Sequence, residues 1–251
     1  MNGRSGPPIP DGYQLDDRRH GLTILVNDYA DAWAELCSVL TDFRIKLQEA
    51  IAGGQGKTKM TDRLERGLES KNWNQEIFET TAIIRRKSKP GALPKELEAA
   101  SHEIDHFRAF EDGRRGIALE IEWNNKDTFF DRDLGNFQRL HTLGIISVGI
   151  IITRAAPLQD KLQECFVREY TGNPDMAMGW VTNKSPALKA KIAKISDPKK
   201  RLETISRDAF AYKYGATTTH WGKLVERLDR DMGAPCPLVL IGIGAERLTL
   251  T

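Results

Sequence analysis

The run IISVGIIIT, residues 145–153, constrains the fold more than any other part of this 251-residue chain. Most of its side chains are β-branched, a type that packs well on a pleated surface and loses rotamer freedom in a helix. It is far shorter than the roughly 20 apolar residues a membrane helix needs. An unbroken apolar run of this length predicts a central strand buried on both faces. The run PLVLIGI at 237–243 repeats the pattern. Two such strands need helices on each side of their sheet, so the expected class is α/β, a mixed central β-sheet flanked by helices on both faces.

The remaining segments supply those helices. Apolar residues at Trp33, Leu36, Cys37, Leu40, Phe43 and Leu47 follow helical spacing and predict one long helix over 29–50, stopped by Gly53-Gly54. Further helices are expected over 61–70, 131–143, 157–169 and 217–230, and a strand over 77–85. Residues 1–20, rich in Gly, Pro and Asp, read as a flexible N-terminal arm. Residues 21–251 read as one domain, with 170–201 an irregular insertion carrying Lys184, Lys189, Lys191 and Lys194.

Composition narrows the function classes. A formal charge of +2 neither requires nor excludes a polyanionic partner. Cys37, Cys165 and Cys236 stand far apart without metal-ligand spacing, which argues against zinc and against a disulfide framework and fits a cytoplasmic protein. No apolar leader opens the chain and no run of eighteen apolar residues interrupts it, so neither export nor a membrane partner is expected. The stretch GGQGKT at 53–58 looks like a phosphate-binding loop, but Ile51 stands where the first Gly belongs and a helix precedes it; no nucleotide cofactor is expected.

The segment 102–123 carries the chemistry. Asp112-Gly113 between two apolar-periodic runs predicts a hairpin with a two-residue type I′ turn. In that register Asp105 lies across from Glu120, and Glu103 across from Glu122. Directly opposed residues share a face with Cβ atoms about 4.5–5.5 Å apart, so these carboxylates are expected on one patch. Ile104, Leu119, Ile121 and Trp123 would form the apolar face behind them. Opposed like charges repel unless a cation or a raised proton affinity compensates. Hard oxygen donors suit Mg2+, with Mn2+ able to substitute. An ion held by Asp105, Glu120 and the Ile121 carbonyl would keep places for water and a phosphodiester. The spacing also fits solvent-facing acids on an amphipathic hairpin, and the residues alone leave both readings open.

Residues 102–154 also resemble a known family. "ID" at Ile104-Asp105, "ALEIEWN" at 118–124, "FDRDL-NF" at 130–137 and "VGIIITR" at 148–154 are similar to the Type II restriction endonucleases of the Bgl-like branch, in the PD-(D/E)xK nuclease superfamily. YGATTTHWGKL at 214–224 looks like a further motif of such proteins. The resemblance implies a restriction-endonuclease-like fold and metal-dependent hydrolysis of a short palindromic duplex DNA site by a homodimer, leaving 5′-phosphates. It implies Asp105 and Glu120 as metal ligands and Glu122 as third catalytic residue, where many members have Lys. An upstream acid sometimes joins them; Glu79, Glu103, Glu96 and Glu98 are candidates. A repair or modification-dependent nuclease, or an inactive DNA-binding protein, would share these features.

Contacts to double-stranded DNA are expected from Asn124, Asn125 and Lys126, which leave the catalytic strand just after Glu122. Thr217, Thr218, Thr219 and His220, with Lys223, are expected at a helix start, where free N–H groups attract phosphate. The lysines of 184–200 and Arg201 would follow the backbone or form a solvated helix face.

Overall fold

A computed structural model describes residues 6–52, 58–84, 91 and 95–250. In chain order its elements are β1 (Tyr13–Arg18), α1 (Gly21–Asp28), α2 (Ala30–Asp42), β2 (Ile45–Lys46), α3 (Leu47–Ile51), α4 (Lys59–Glu69), β3 (Asn74–Ile84), β4 (Lys95–Arg108) and β5 (Gly116–Glu122). There follow α5 (Phe129–Thr142), β6 (Ile146–Arg154), α6 (Ala156–Gly172), α7 (Pro174–Thr182), α8 (Pro186–Ala193), α9 (Pro198–Tyr214), α10 (Trp221–Leu228), β7 (Leu238–Ile243) and β8 (Leu248–Thr249).

Six strands form one sheet in the order β1-β7-β6-β5-β4-β3. The buried runs β5, β6 and β7 pair in parallel at its centre, and antiparallel strands lie outside them. Alternation along β6 and β7, interrupted by a register shift between Ile146 and Val148, divides the core. Val148, Ile150, Ile152, Val239 and Ile241 pack with Trp33, Leu36, Leu158, Leu162 and Phe166 on one face. Ile146, Ile151, Leu238 and Leu240 pack with Phe130, Leu134 and Phe137 of α5 and with Leu224 and Leu228 of α10 on the other. The mixed sheet flanked by helices on both faces is therefore the observed architecture. No described helix is long and apolar enough to cross a membrane.

Helix α5 is seated by a glycine. A Cβ on Gly149 of β6 would stand 2.4 Å from the Phe137 ring, so only a residue without a side chain lets α5 approach this closely. Asp133 lies one turn before Phe137, on the same side of the helix, and is carried against the end of β5.

Several expectations fail for identifiable reasons. The arm expected over 1–20 is not loose across Tyr13–Arg18, which pair antiparallel with β7; Pro7 also accepts a 2.6 Å bond from Trp33 Nε1. The helix expected over 29–50 divides, because Phe43 is extended and β2 pairs with β8. Arg247 Nη2 donates to the carbonyls of Thr41 (2.8 Å) and Phe43 (2.6 Å), fixing a break that no local signal announces. The insertion 170–201 is helical instead of irregular. Asn173, Ser185 and Asp197 each cap a helix whose first residue is Pro, so Asn-Pro, Ser-Pro and Asp-Pro mark helix starts here. The phosphate-loop-like residues 53–57 lie outside the described residues.

The hairpin keeps its expected register with a different turn. His106 pairs with Leu119, Phe107 with Ala118 and Arg108 with Ile117. The connection runs from Ala109 to Arg115, and only Gly113 within it has positive φ; Asp112 instead accepts the Arg114 N–H at 3.0 Å. Beyond His106 the strand bulges. Asp105 and His106 together oppose Gln75, between the pairs Asn74–Phe107 and Glu76–Ile104. Ile104 is consequently turned into the core beneath α5 and does not share a face with Leu119, Ile121 and Trp123.

Candidate active site

Strand β5 is buried along its whole length, and two of its residues are acids. Glu120 and Glu122, each 1% exposed, sit two residues apart on the face toward α5, the face of Ala118. Asp105, half-buried at the bulge, lies beside Glu120. From the first turns of α5 comes a fourth carboxyl, Asp133, fully buried beside Glu122. Arg132 binds Asp133 Oδ1 at 2.8 Å and stands 3.8 Å from Glu122 Oε1. Asn125 Nδ2 donates to Glu122 Oε2 at 2.9 Å, and Thr153 Oγ1 donates to the Glu122 carbonyl at 2.7 Å, tying the site to β6.

These surroundings disfavour negative charge. Burial foremost, then the charges of Asp133 and Asp105, pushes Glu120 well above the usual carboxylate range. Burial and Asp133 push Glu122 up to about 9, against the opposite pull of Asn125 and Arg132. Asp133 is raised as well, by burial above all, although Arg132 draws it down. Among the described residues no N–H or hydroxyl group donates to either oxygen of Glu120 or to Asp133 Oδ2; their polar neighbours are the Asp105 and Glu122 carboxyls. Buried carboxylate oxygens without donors are costly, and a divalent cation would satisfy them. No three acidic, histidine or cysteine side chains among the described residues converge on a single point. An ion here would draw on two of the carboxylates at most, completed by water and substrate oxygens, which is how magnesium is commonly held.

The other expected acids are placed elsewhere. Glu103 is exposed and accepts from Gln75 Nε2 at 2.5 Å, because the bulge breaks the alternation that would have set it opposite Glu122. Glu79 is exposed on β3 opposite Ser101, two strands from Glu120. The side chains of Glu96 and Glu98 lie outside the described residues. Ile121 stands between the two glutamates with its side chain in the opposite core.

A cleft of about 710 Å3 begins where β5 ends. Asn124, Asn125, Lys126, Thr217 and Thr218 line it, facing Lys184 and Tyr212 from the helical region beyond. Lys126 and Thr218 form a β-bridge, and Asn125 is shared between this wall and Glu122. The threonines do not start a helix: α10 begins at Trp221, after an extended stretch. Thr219 is fully buried, which removes it from any DNA surface; its N–H donates to Asn125 O at 2.9 Å. His220 is half-buried as the residue before α10, and Lys223 pairs with Glu226 at 3.1 Å. Lys184 lies 3.7 Å from the Tyr212 ring centroid, whereas Lys189, Lys199 and Lys200 lie on exposed helix faces and Lys194 is exposed just past the end of α8.

The restriction endonuclease BglII/BglIII family matches residues 13–243. The chain belongs to that family. No curated protein matches it. As a restriction endonuclease of this family it has DNA as its substrate, and the acid cluster beside the cleft is the place to look for its chemistry.

Two elements of this candidate site escape a reading of β4 and β5 alone. Asp133 and Arg132 lie within the family-like stretch FDRDL, yet they enter the site only through the packing of α5. Arg154 is the other: fully buried, it donates through Nη2 to Thr218 Oγ1 (2.9 Å) and Thr219 O (2.6 Å) and packs on the Tyr214 ring at 4.5 Å. Burial pulls its guanidinium down to about 10. It braces the cleft wall from inside the fold, and the one signal for it in the sequence is its place at the end of the VGIIITR strand.

Proposed function

We propose that this protein is a Type II restriction endonuclease that binds a short palindromic duplex site as a homodimer and hydrolyses one phosphodiester per strand in the presence of Mg2+ or Mn2+, in the cytoplasm. The observation that carries the reading is Glu120: a buried carboxylate without N–H or hydroxyl donors among the described residues, beside Asp105, next to a cleft that shares Asn125 with the cluster. Hard oxygen donors of this kind fit a small divalent cation.

Asp105 and Glu120, with the Ile121 carbonyl, would hold the ion. When bound, it supplies Lewis acidity at the phosphoryl oxygen and lowers the pKa of coordinated water. Glu122 takes the place of a lysine, so it cannot donate charge to the phosphate; once ionised, it accepts the proton of the attacking water. Burial and Asp133 hold its proton in the free enzyme, Asn125 and Arg132 pull toward the ionised form, and a cation bound beside it would favour that form further. Water adds to phosphorus, the bond from phosphorus to O3′ breaks, and the products are a 5′-phosphate and a 3′-hydroxyl. Asn125 keeps Glu122 in place, and Lys126 with Asn124, Thr217 and Thr218 would grip the DNA backbone along the cleft; His220 and Lys223 stand at its edge. A two-fold site calls for a two-fold enzyme, which is the basis for the homodimer.

Digestion of a plasmid of known sequence with Mg2+, followed by run-off sequencing of the ends, tests this. Discrete fragments with 5′-phosphates at one recurrent palindrome are expected. Smearing, or cutting only of DNA with modified bases, would point to another nuclease of the superfamily. Binding without cutting would point to an inactive DNA-binding protein.

A further inference from the structure

Strand β5 brings acids to the cluster but no cation, and phosphoryl transfer gathers negative charge on the phosphate as it proceeds. Among the described residues, Arg132 both touches the cluster and reaches solvent. Its side chain is 51% exposed, while those of Glu122 and Asp133 are 1% and 0% exposed. Nε donates to Asp133 Oδ1 at 2.8 Å, and Nη2 lies 2.8 Å from the same oxygen and 3.8 Å from Glu122 Oε1. The guanidinium packs on the Phe129 ring at 4.6 Å. Consecutive helix residues do not ordinarily face one another, so this pairing folds Arg132 back over the cluster instead of letting it extend outward. Its Nη1 makes no hydrogen bond or ion pair among the described residues. A planar guanidinium fixed along one edge presents the other in a geometry suited to a phosphate oxygen. Two other cations nearby are engaged elsewhere, Arg227 by Asp131 at 2.6 Å and Lys223 by Glu226 at 3.1 Å, and Lys126 lines the cleft beyond the strand end.

We propose that Arg132 is a catalytic residue of this enzyme, binding the scissile phosphate and supplying the fixed positive charge that Glu122 cannot provide, with Asp133 as the positioning residue that aims it. This rests on the nuclease reading above, and the test separates the two. The full chain is compared with R132M and R132K in two measurements: the single-turnover cleavage rate with Mg2+, and the salt dependence of duplex binding in EDTA. For R132M the rate is expected to fall by about 10²–10³-fold, the usual effect of removing one donor to a developing oxyanion. The slope of log K against log salt should become shallower by about 0.9 for each phosphate no longer neutralised, with the melting temperature retained. R132K, which keeps the charge and loses the fork, should recover part of the rate and most of the slope. The proposal is overturned if R132M cuts and binds as the parent does, if its losses simply follow a lowered melting temperature, or if R132K behaves like R132M in both measurements. A parent chain that neither cuts nor binds duplex DNA would instead overturn the nuclease reading, and this proposal with it.

Discussion

Glu122 shows how one buried side chain couples stability to chemistry. Its carboxyl, held up at about 9 by burial and by Asp133, keeps in the folded chain a proton that it would release near the ordinary value of 4.5 once unfolded. Between those limits the folded state binds more protons, so this contribution to stability is complete below about 4.5 and is lost as pH rises toward 9. Thermal unfolding in EDTA should show a melting temperature that declines over this window, and Glu122→Gln should flatten the decline. An unchanged slope in the variant would assign it to other groups. Legibility in sequence is uneven at this scale. The approach of Asp105 to Glu120 follows from the hairpin register. Glu103 departs from its expected place because a bulge of one residue reverses a side chain's face without any compositional mark. Asp133 stays hidden in the sequence because its neighbour in space, Glu122, lies on another element.

Elements defined by composition are the legible ones. Strands β6 and β7 announce themselves through unbroken β-branched runs, and α5 through its apolar spacing. The breaks are not legible, since Arg247 ends α2 from more than two hundred positions away and the Pro-initiated helices α7, α8 and α9 start with dipeptides that turns also use. The contact between α5 and β6 is where an element's placement becomes a condition for the site. Gly149→Ala would force its methyl group against Phe137, and overpacking of this kind costs about 1–3 kcal/mol. Because Asp133 lies one turn from Phe137, the variant should also cleave more slowly than its loss of stability accounts for. Urea unfolding and a cleavage rate measured well below the transition check the two parts; a stable variant with full activity would mean that α5 tolerates displacement.

At the scale of the whole molecule, the parallel strands β5, β6 and β7 form a rigid, doubly covered floor, and the acids sit where β5 leaves it. Such burial explains both the absence of N–H or hydroxyl donors to Glu120 among the described residues and the proximity of a polar cleft, because the same strand end closes the core and opens the wall formed by Asn124, Asn125 and Lys126. The architecture can be inferred from two apolar runs and a hairpin, whereas the cleft cannot, since it needs α9 and the 217–220 segment brought to β5 from more than eighty residues further along the chain. Side-by-side digestion of supercoiled plasmid by the parent chain and by Glu120→Ala, with Mg2+ and with EDTA, bears on all of this at once. The parent should cut in Mg2+ alone, and the variant should still bind duplex DNA yet cut in neither condition. A Glu120→Ala protein that cuts at the parental rate would contradict the assignment of this cluster as the catalytic centre.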